Sequence, residues 1–145
     1  MNLIQKLREE TGAGIMDSKR ALEEAKGDYN SAKKIIEKKG LIKADNKSAR
    51  TTGAGLLEAY IHNGRIGVLL ELKAETDFVI KSDPTKKLAH DLVLHIAATG
   101  PDSVESLLKQ PFVQDESKTI EDVIKGTIAK VGENIRVTRF VRYQL

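Results

Sequence analysis

The side chains able to do chemistry in this chain are few in kind. There is no cysteine, so disulfides, thiolate nucleophiles and cysteine-type zinc sites are excluded outright. The 3 histidines are His62, His90 and His95. The last two stand five positions apart, a spacing that turns them away from a shared helix face, and no H-E-x-x-H pattern exists to hold a metal. Among 21 acidic residues no paired-carboxylate pattern, Ser-His-Asp set or activated nucleophile emerges. Covalent catalysis therefore has no support, and no cofactor is expected.

Five other motifs carry chemical potential. Thr11-Gly12-Ala13-Gly14 could suggest a phosphate-cradling loop, but it follows no strand and lacks the Gly-Lys-Ser/Thr ending that sets a lysine on phosphates. It reads as a glycine-rich connection that lets two short helices turn tightly. Thr52-Gly53-Ala54-Gly55 repeats the tetrapeptide with unrelated flanks, so it is a coincidence rather than an internal repeat. Arg136, Arg139 and Arg142 could meet phosphates, yet a spacing of three along a strand puts Arg139 on the face opposite its neighbours. Glu75-Thr76-Asp77-Phe78-Val79 sets one of only 3 phenylalanines in a connection, where burial habits alone would fold the ring back onto the core. The same habit anchors Gln110-Pro111-Phe112-Val113 by a buried ring.

The elements that must position these residues follow from periodicity. Leu3, Ile4 and Leu7 share one face of a first helix, and Thr11-Gly12 interrupts it. Ile15, Ser18, Leu22 and Ala25 form a second stripe ended by Gly27. Asp28 then caps a third helix with Ala32, Ile35 and Ile36 on its apolar side, closed by Gly40. Helices this short are marginal alone and must pack together, which predicts a three-helix bundle of ubiquitin-associated type over residues 1–42. Residues 43–53 read as a linker, because 43–50 hold no large apolar side chain.

Beyond it, over 54–145, the period changes to 2. Leu57, Ala59 and Ile61, then Ile66, Val68, Leu70 and Leu72, make two alternating runs joined by Asn63-Gly64, a pair suited to a tight type I′ hairpin. Asp83-Pro84 opens a helix, with the acid as cap and proline in the first turn, through Leu88, Leu92 and Ile96 to Gly100. Thr119 and Asp122 resemble a capping box ahead of Ile120, Ile124 and Ile128. Ile135, Val137, Val141 and Tyr143 alternate as a third strand. The expected class is α+β, a small three-stranded antiparallel sheet covered by helices.

Bulk properties narrow the function. No apolar run approaches the length of about 20 residues that a membrane span needs. Met1 leads into a mixed amphipathic stretch rather than a secretion signal, so a cytoplasmic address is expected. The net charge of +3 is concentrated in the first fifty residues, and aromatics are 4% with no tryptophan. A dedicated nucleic-acid binder needs a denser basic stripe with stacking rings. A nucleic-acid or ribosome-associated module is therefore the rival reading rather than the leading one.

In order along the chain, the motifs closely resemble bacterial elongation factor Ts in its short, single-core form. Lys6 through Leu22 is similar to that family's amino-terminal signature. Tyr60-Ile61-His62, Gly64 through Leu69, Glu75 through Val79, Gln110 through Val113 and Gly132-Glu133-Asn134-Ile135 follow. The resemblance implies a non-enzymatic guanine nucleotide exchange factor that binds elongation factor Tu with GDP, disturbs its magnesium and phosphate site and promotes GDP release. It implies that Thr76, Asp77, Phe78 and Val79 form the magnesium-dislocating loop, which reverses the burial-based expectation for Phe78. It assigns partner binding to Leu7, Arg8, Thr11, Gly12, Met16, Tyr60 and His62. Ser18 and Ala74 stand where the family often has cysteine, and one core stands where many relatives have two halves. Short relatives pair, so a homodimer through the sheet is expected, since a small sheet leaves edges or a face to cover.

Overall fold

A computed structural model describes residues 2–145. Three helices come first: α1 (Leu3–Thr11), α2 (Ile15–Glu24) and α3 (Tyr29–Lys47). The side chain of Asn2 caps α1, Gly12 ends it in the left-handed conformation (φ 73°), and Asp28 caps α3. Leu7, Ala21, Leu22 and Ala32 make the bundle's core, with Ile4, Ala25, Tyr29, Ile35 and Ile36 packed around it.

The third helix does not stop at Gly40. It runs to Lys47, through the first part of the stretch read as a linker. Small side chains there serve packing: Ala44 is buried in the main core, and Asp45 pairs with Lys125 at 2.7 Å. Gly40 is a contact point, because a Cβ at that position would lie 3.0 Å from the Cβ of Ala129. Ile15, counted on the inner stripe of α2, is exposed instead.

Beyond the bundle follow β1 (Ala54–His62), β2 (Ile66–Ala74), α4 (Asp77–Ile80), α5 (Asp83–Thr99), α6 (Val104–Lys109), β3 (Pro111–Phe112), β4 (Asp115–Thr119), α7 (Ile120–Val131) and β5 (Ile135–Gln144). The main sheet is antiparallel in the order β1-β2-β5, and β3 and β4 make a separate small hairpin. Asn63 and Gly64 turn the first hairpin with φ of 51° and 65°, as a type I′ turn requires. The chain is thus α+β, with Leu88, Leu92 and Ile96 of α5 and Ile120, Ile124 and Ile128 of α7 in the core against Val68, Leu70 and Leu72. Ser82 rather than Asp83 is the N-cap of α5; the capping box of Thr119 and Asp122 is present.

Two faces differ from the alternation read in the sequence. In β1 the core-facing residues are Leu56 and Tyr60, opposite Leu72 and Val68. Leu57, Ala59 and Ile61 point the other way, because period-2 alternation moved by one residue exchanges the faces. In β5 the register shifts opposite Glu71 and Leu72, which pair with Arg139 and Val137. Thr138 is the extra residue of a bulge, and the alternation inverts beyond it. Val141 and Tyr143 therefore look outward, while Phe140 packs on the core. Arg136 and Arg139 are both exposed, whereas Arg142 turns in and donates to the Ala97 carbonyl at 2.9 Å. At the bulge Glu71 accepts from the Thr138 hydroxyl at 2.6 Å and from Arg139 at 2.9 Å. These bonds hold its carboxyl below the usual range, Thr138 first and Arg139 second.

Candidate functional site

The connection after β2 folds into a single helical turn, α4, and the sequence explains why. Thr76 is extended (φ −130°) and its hydroxyl accepts from the Val79 amide, so it is the N-cap. A threonine at this place satisfies an amide that the first turn leaves without an internal partner. Val79 and Ile80 are buried, 6% and 2% exposed, and they fasten the turn to the core. Phe78 is 86% exposed. Burying a phenylalanine is worth about 1.5–3 kcal/mol, and this chain leaves that gain unused within its own fold. Thr76 and Asp77 are exposed beside it.

The base of the loop is tied to the turn between α7 and β5. Glu133 accepts from the Thr76 amide at 3.0 Å and from the Thr76 hydroxyl at 2.8 Å. In return Glu75 accepts from the Asn134 amide at 2.7 Å. Asn134 is buried, and its side-chain amide donates to the Ser48 and Arg50 carbonyls at 3.3 and 3.0 Å. Arg50 also pairs with Glu75 at 3.6 Å. Thus Glu75, Glu133 and Asn134 bind the loop, the exit of α3 and the start of β5 into one network. Glu133 and Asn134 belong to a motif that the sequence supplies, but separation by 57 residues hid its contact with Thr76.

The remaining expected contact residues do not gather here. Tyr60 and His62 sit at the hairpin tip, where His62 faces Ile66, whereas the loop leaves from the end where Ala54 faces Ala74. Eight residues of strand separate the two ends by roughly 25 Å. The Tyr60 hydroxyl and His62 Nδ1 are 2.8 Å apart. In the helical module Arg8 and Met16 are exposed, and both can meet a partner. Leu7 cannot, because it is fully buried in the bundle core; the apolar stripe that forms the helix consumes it. Thr11 serves its own turn, donating to the Leu7 carbonyl at 2.6 Å and accepting from the Ala13 amide at 3.2 Å. Gly12 lies against Lys130, whose Cγ would be 2.8 Å from a Cβ at that position.

A cavity of about 540 Å³ lies between the bundle and α7, lined by Lys33, Lys43, Lys118 and Lys130 among others. Three of these lysines face acids, Lys33 with Glu10 at 3.3 Å, Lys43 with Asp17 at 3.3 Å and Lys118 with Glu37 at 3.7 Å. Lys33 and Lys43 of the basic first fifty residues are thus paired with acids, while Lys118 offsets an acid of that stretch. Among the described residues no helix is long and apolar enough to cross a membrane.

The fold is a two-part α+β scaffold, a three-helix bundle followed by a helix-covered antiparallel sheet, and its loop after β2 leaves the Phe78 ring exposed. The family model described as Elongation factor TS matches residues 5–106 and 75–145, two stretches that overlap. Elongation factor Ts of Thermotoga maritima is 41% identical over 189 aligned positions, covering 100% of this chain and 95% of the relative. That of Fervidobacterium nodosum is 41% identical, covering 99% and 96%. The rice protein named "Polyprotein of EF-Ts, chloroplastic" is 38% identical over 99% of this chain, which spans only 17% of that relative's length. The chain belongs to the elongation factor Ts family. An alignment of 189 positions against a chain of 145 residues means that the bacterial relatives carry segments this chain lacks.

Proposed function

We propose that this chain is a non-enzymatic guanine nucleotide exchange factor that acts on elongation factor Tu in translation elongation. The observation that carries the reading is Phe78, an exposed ring on a turn whose next two residues are buried. Such a ring is a ready wedge: it gains its burial energy only inside a partner, and its anchor keeps the entropy lost on insertion small. Family membership supplies the partner.

The wedge acts on charge. Magnesium neutralises phosphate oxygens of bound GDP, so a phenylalanine and the Asp77 carboxylate pushed in beside the metal site disturb its ligands and weaken the nucleotide without competing for its pocket. Thr76 caps the turn and Val79 roots it. Arg8 and Met16 of the helical module extend the contact surface. The coupling is reciprocal, so bound GDP must weaken the factor's hold on its partner by the same ratio. Release of labelled GDP from elongation factor Tu, followed with and without this protein, tests the reading.

The chain also pairs with a second copy through the outer face of its sheet. Leu57, Ile61 and Tyr143 are 62%, 66% and 75% exposed there, with Leu69 and Val141 on the same face through the pairs Ala59–Leu69 and Leu69–Val141. A contiguous apolar face of this kind is unusual on a monomer. A two-fold contact would cover it with its own copy.

A further inference from the structure

We propose that Glu133 is the positioning residue of the wedge, a role that rests on the exchange reading above. Its carboxylate takes both groups that Thr76 can donate, the amide at 3.0 Å and the hydroxyl at 2.8 Å. Committing the Thr76 proton to Glu133 leaves the oxygen's lone pairs toward the Val79 amide, at 3.3 Å. The cap of α4 is thereby fixed from outside the loop. A four-residue helix has almost no stability of its own, since its nucleation cost is met by hardly any internal hydrogen bond. Without Glu133 the turn keeps the anchors Val79 and Ile80, but the Thr76 hydroxyl is free to rotate away from its capping geometry. Phe78 then samples many directions.

The second half of the network gives the position a wider reach. The residue after Glu133, Asn134, holds the carbonyls of Ser48 and Arg50 at the exit of α3, while its backbone amide is received by Glu75. The dipeptide thus fixes the wedge on one side and the end of the helical module on the other. Loss of the Asn134 side chain would free the Ser48 and Arg50 carbonyls and leave a gap at a buried position, which risks the fold. Glu133 is only half-buried, so its substitution leaves the core intact.

The test uses the full chain as wild type, Glu133→Ala, Glu133→Gln and Thr76→Val. Hydrogen exchange of the Val79 amide is measured by NMR in the free proteins. Release of labelled GDP is measured against factor concentration, so that the plateau rate and the half-saturating concentration separate. Glu133→Ala is expected to speed Val79 exchange about tenfold and to lower the plateau about tenfold, with half-saturation changed by less than about threefold. Glu133→Gln should restore only part of both, because its amide oxygen can accept from the Thr76 N–H while its NH2 donates to the Thr76 hydroxyl oxygen and no longer takes the hydroxyl proton. Thr76→Val should match Glu133→Ala, and the double variant should be no worse than either. Wild-type Val79 exchange in Glu133→Ala overturns the proposal, as does faster exchange with an unchanged plateau. Should the wild type itself fail to speed GDP release, the exchange reading falls and the positioning role with it, whereas unaltered wild-type catalysis of release with an indifferent Glu133→Ala removes only the latter.

Discussion

Phe78 and Val79 are neighbours in the chain, yet the first is 86% exposed and the second 6%. The contrast is produced by one helical turn, which sends consecutive side chains about 100° apart around its axis, and by the cap at Thr76 that makes the turn form. Anchor and wedge are therefore separable by substitution. Phe78→Ala is expected to leave stability within about 0.5 kcal/mol of wild type, as for other exposed sites. In stopped-flow release of GDP it should forfeit about 2–4 kcal/mol of the exchange-competent state, a hot-spot loss. Val79→Ala should instead lower the melting temperature, by about 1–3 kcal/mol of stability, through the cavity it leaves.

Gly40 and Ala129 set how closely the helical module can approach the core. A Cβ on Gly40 would already stand 3.0 Å from that of Ala129, so Gly40→Leu must drive α3 and α7 apart. The expected cost is about 1–3 kcal/mol, as for other overpacked contacts. Limited proteolysis should then cut between Lys47 and Ala54 faster than in wild type.

His95 gives the fold a pH dependence of known sign. The imidazole is fully buried; its Nδ1 accepts from the Val113 amide at 3.3 Å and its Nε2 donates to Gln110 Oε1 at 2.8 Å. Burial, against a smaller opposing effect of the Gln110 bond, pulls its pKa below the ordinary value. The unfolded chain therefore takes up the proton first, so this contribution is fully present above the unfolded pKa near about 6.5 and is lost as pH falls from there toward the folded pKa. Melting temperatures measured from pH 7.5 downward should decline more steeply for wild type than for His95→Gln. Parallel curves would refute the assignment.

The apolar outer face of the sheet predicts association. Sedimentation at micromolar concentration should show wild type as a dimer and Ile61→Lys shifted toward monomer by at least about tenfold in dissociation constant. The substitution lies on the exposed face, so the melting temperature of the monomer should be little changed. A wild-type monomer at that concentration would count against pairing.

How much of this was legible in the residues differs by element. The type I′ turn at Asn63-Gly64 and the capping box at Thr119 were legible because local backbone chemistry specifies them. The end of α3 was not: Gly40 is a helix breaker by propensity, and only the distant Ala129 makes its missing side chain useful. The outer faces of β1 and β5 were misread because alternation gives a face only up to a shift of one. The bulge at Thr138 that inverts β5 exists only in relation to Glu71 on another strand. Phe78 shows the limit most clearly, since burial habit pointed inward and only the likeness to a known family pointed outward. Glu133 lay in a motif in plain view, but its partner Thr76 is brought to it by the closing of the sheet.

Dissociation of labelled GDP from elongation factor Tu in magnesium-containing buffer, at rising concentrations of this protein and of its Phe78→Ala variant, decides whether the exposed ring opens the partner's nucleotide site. Wild type should raise the dissociation rate to a plateau, and the variant should fall far below it. A dissociation rate that does not respond to wild-type protein would contradict the account.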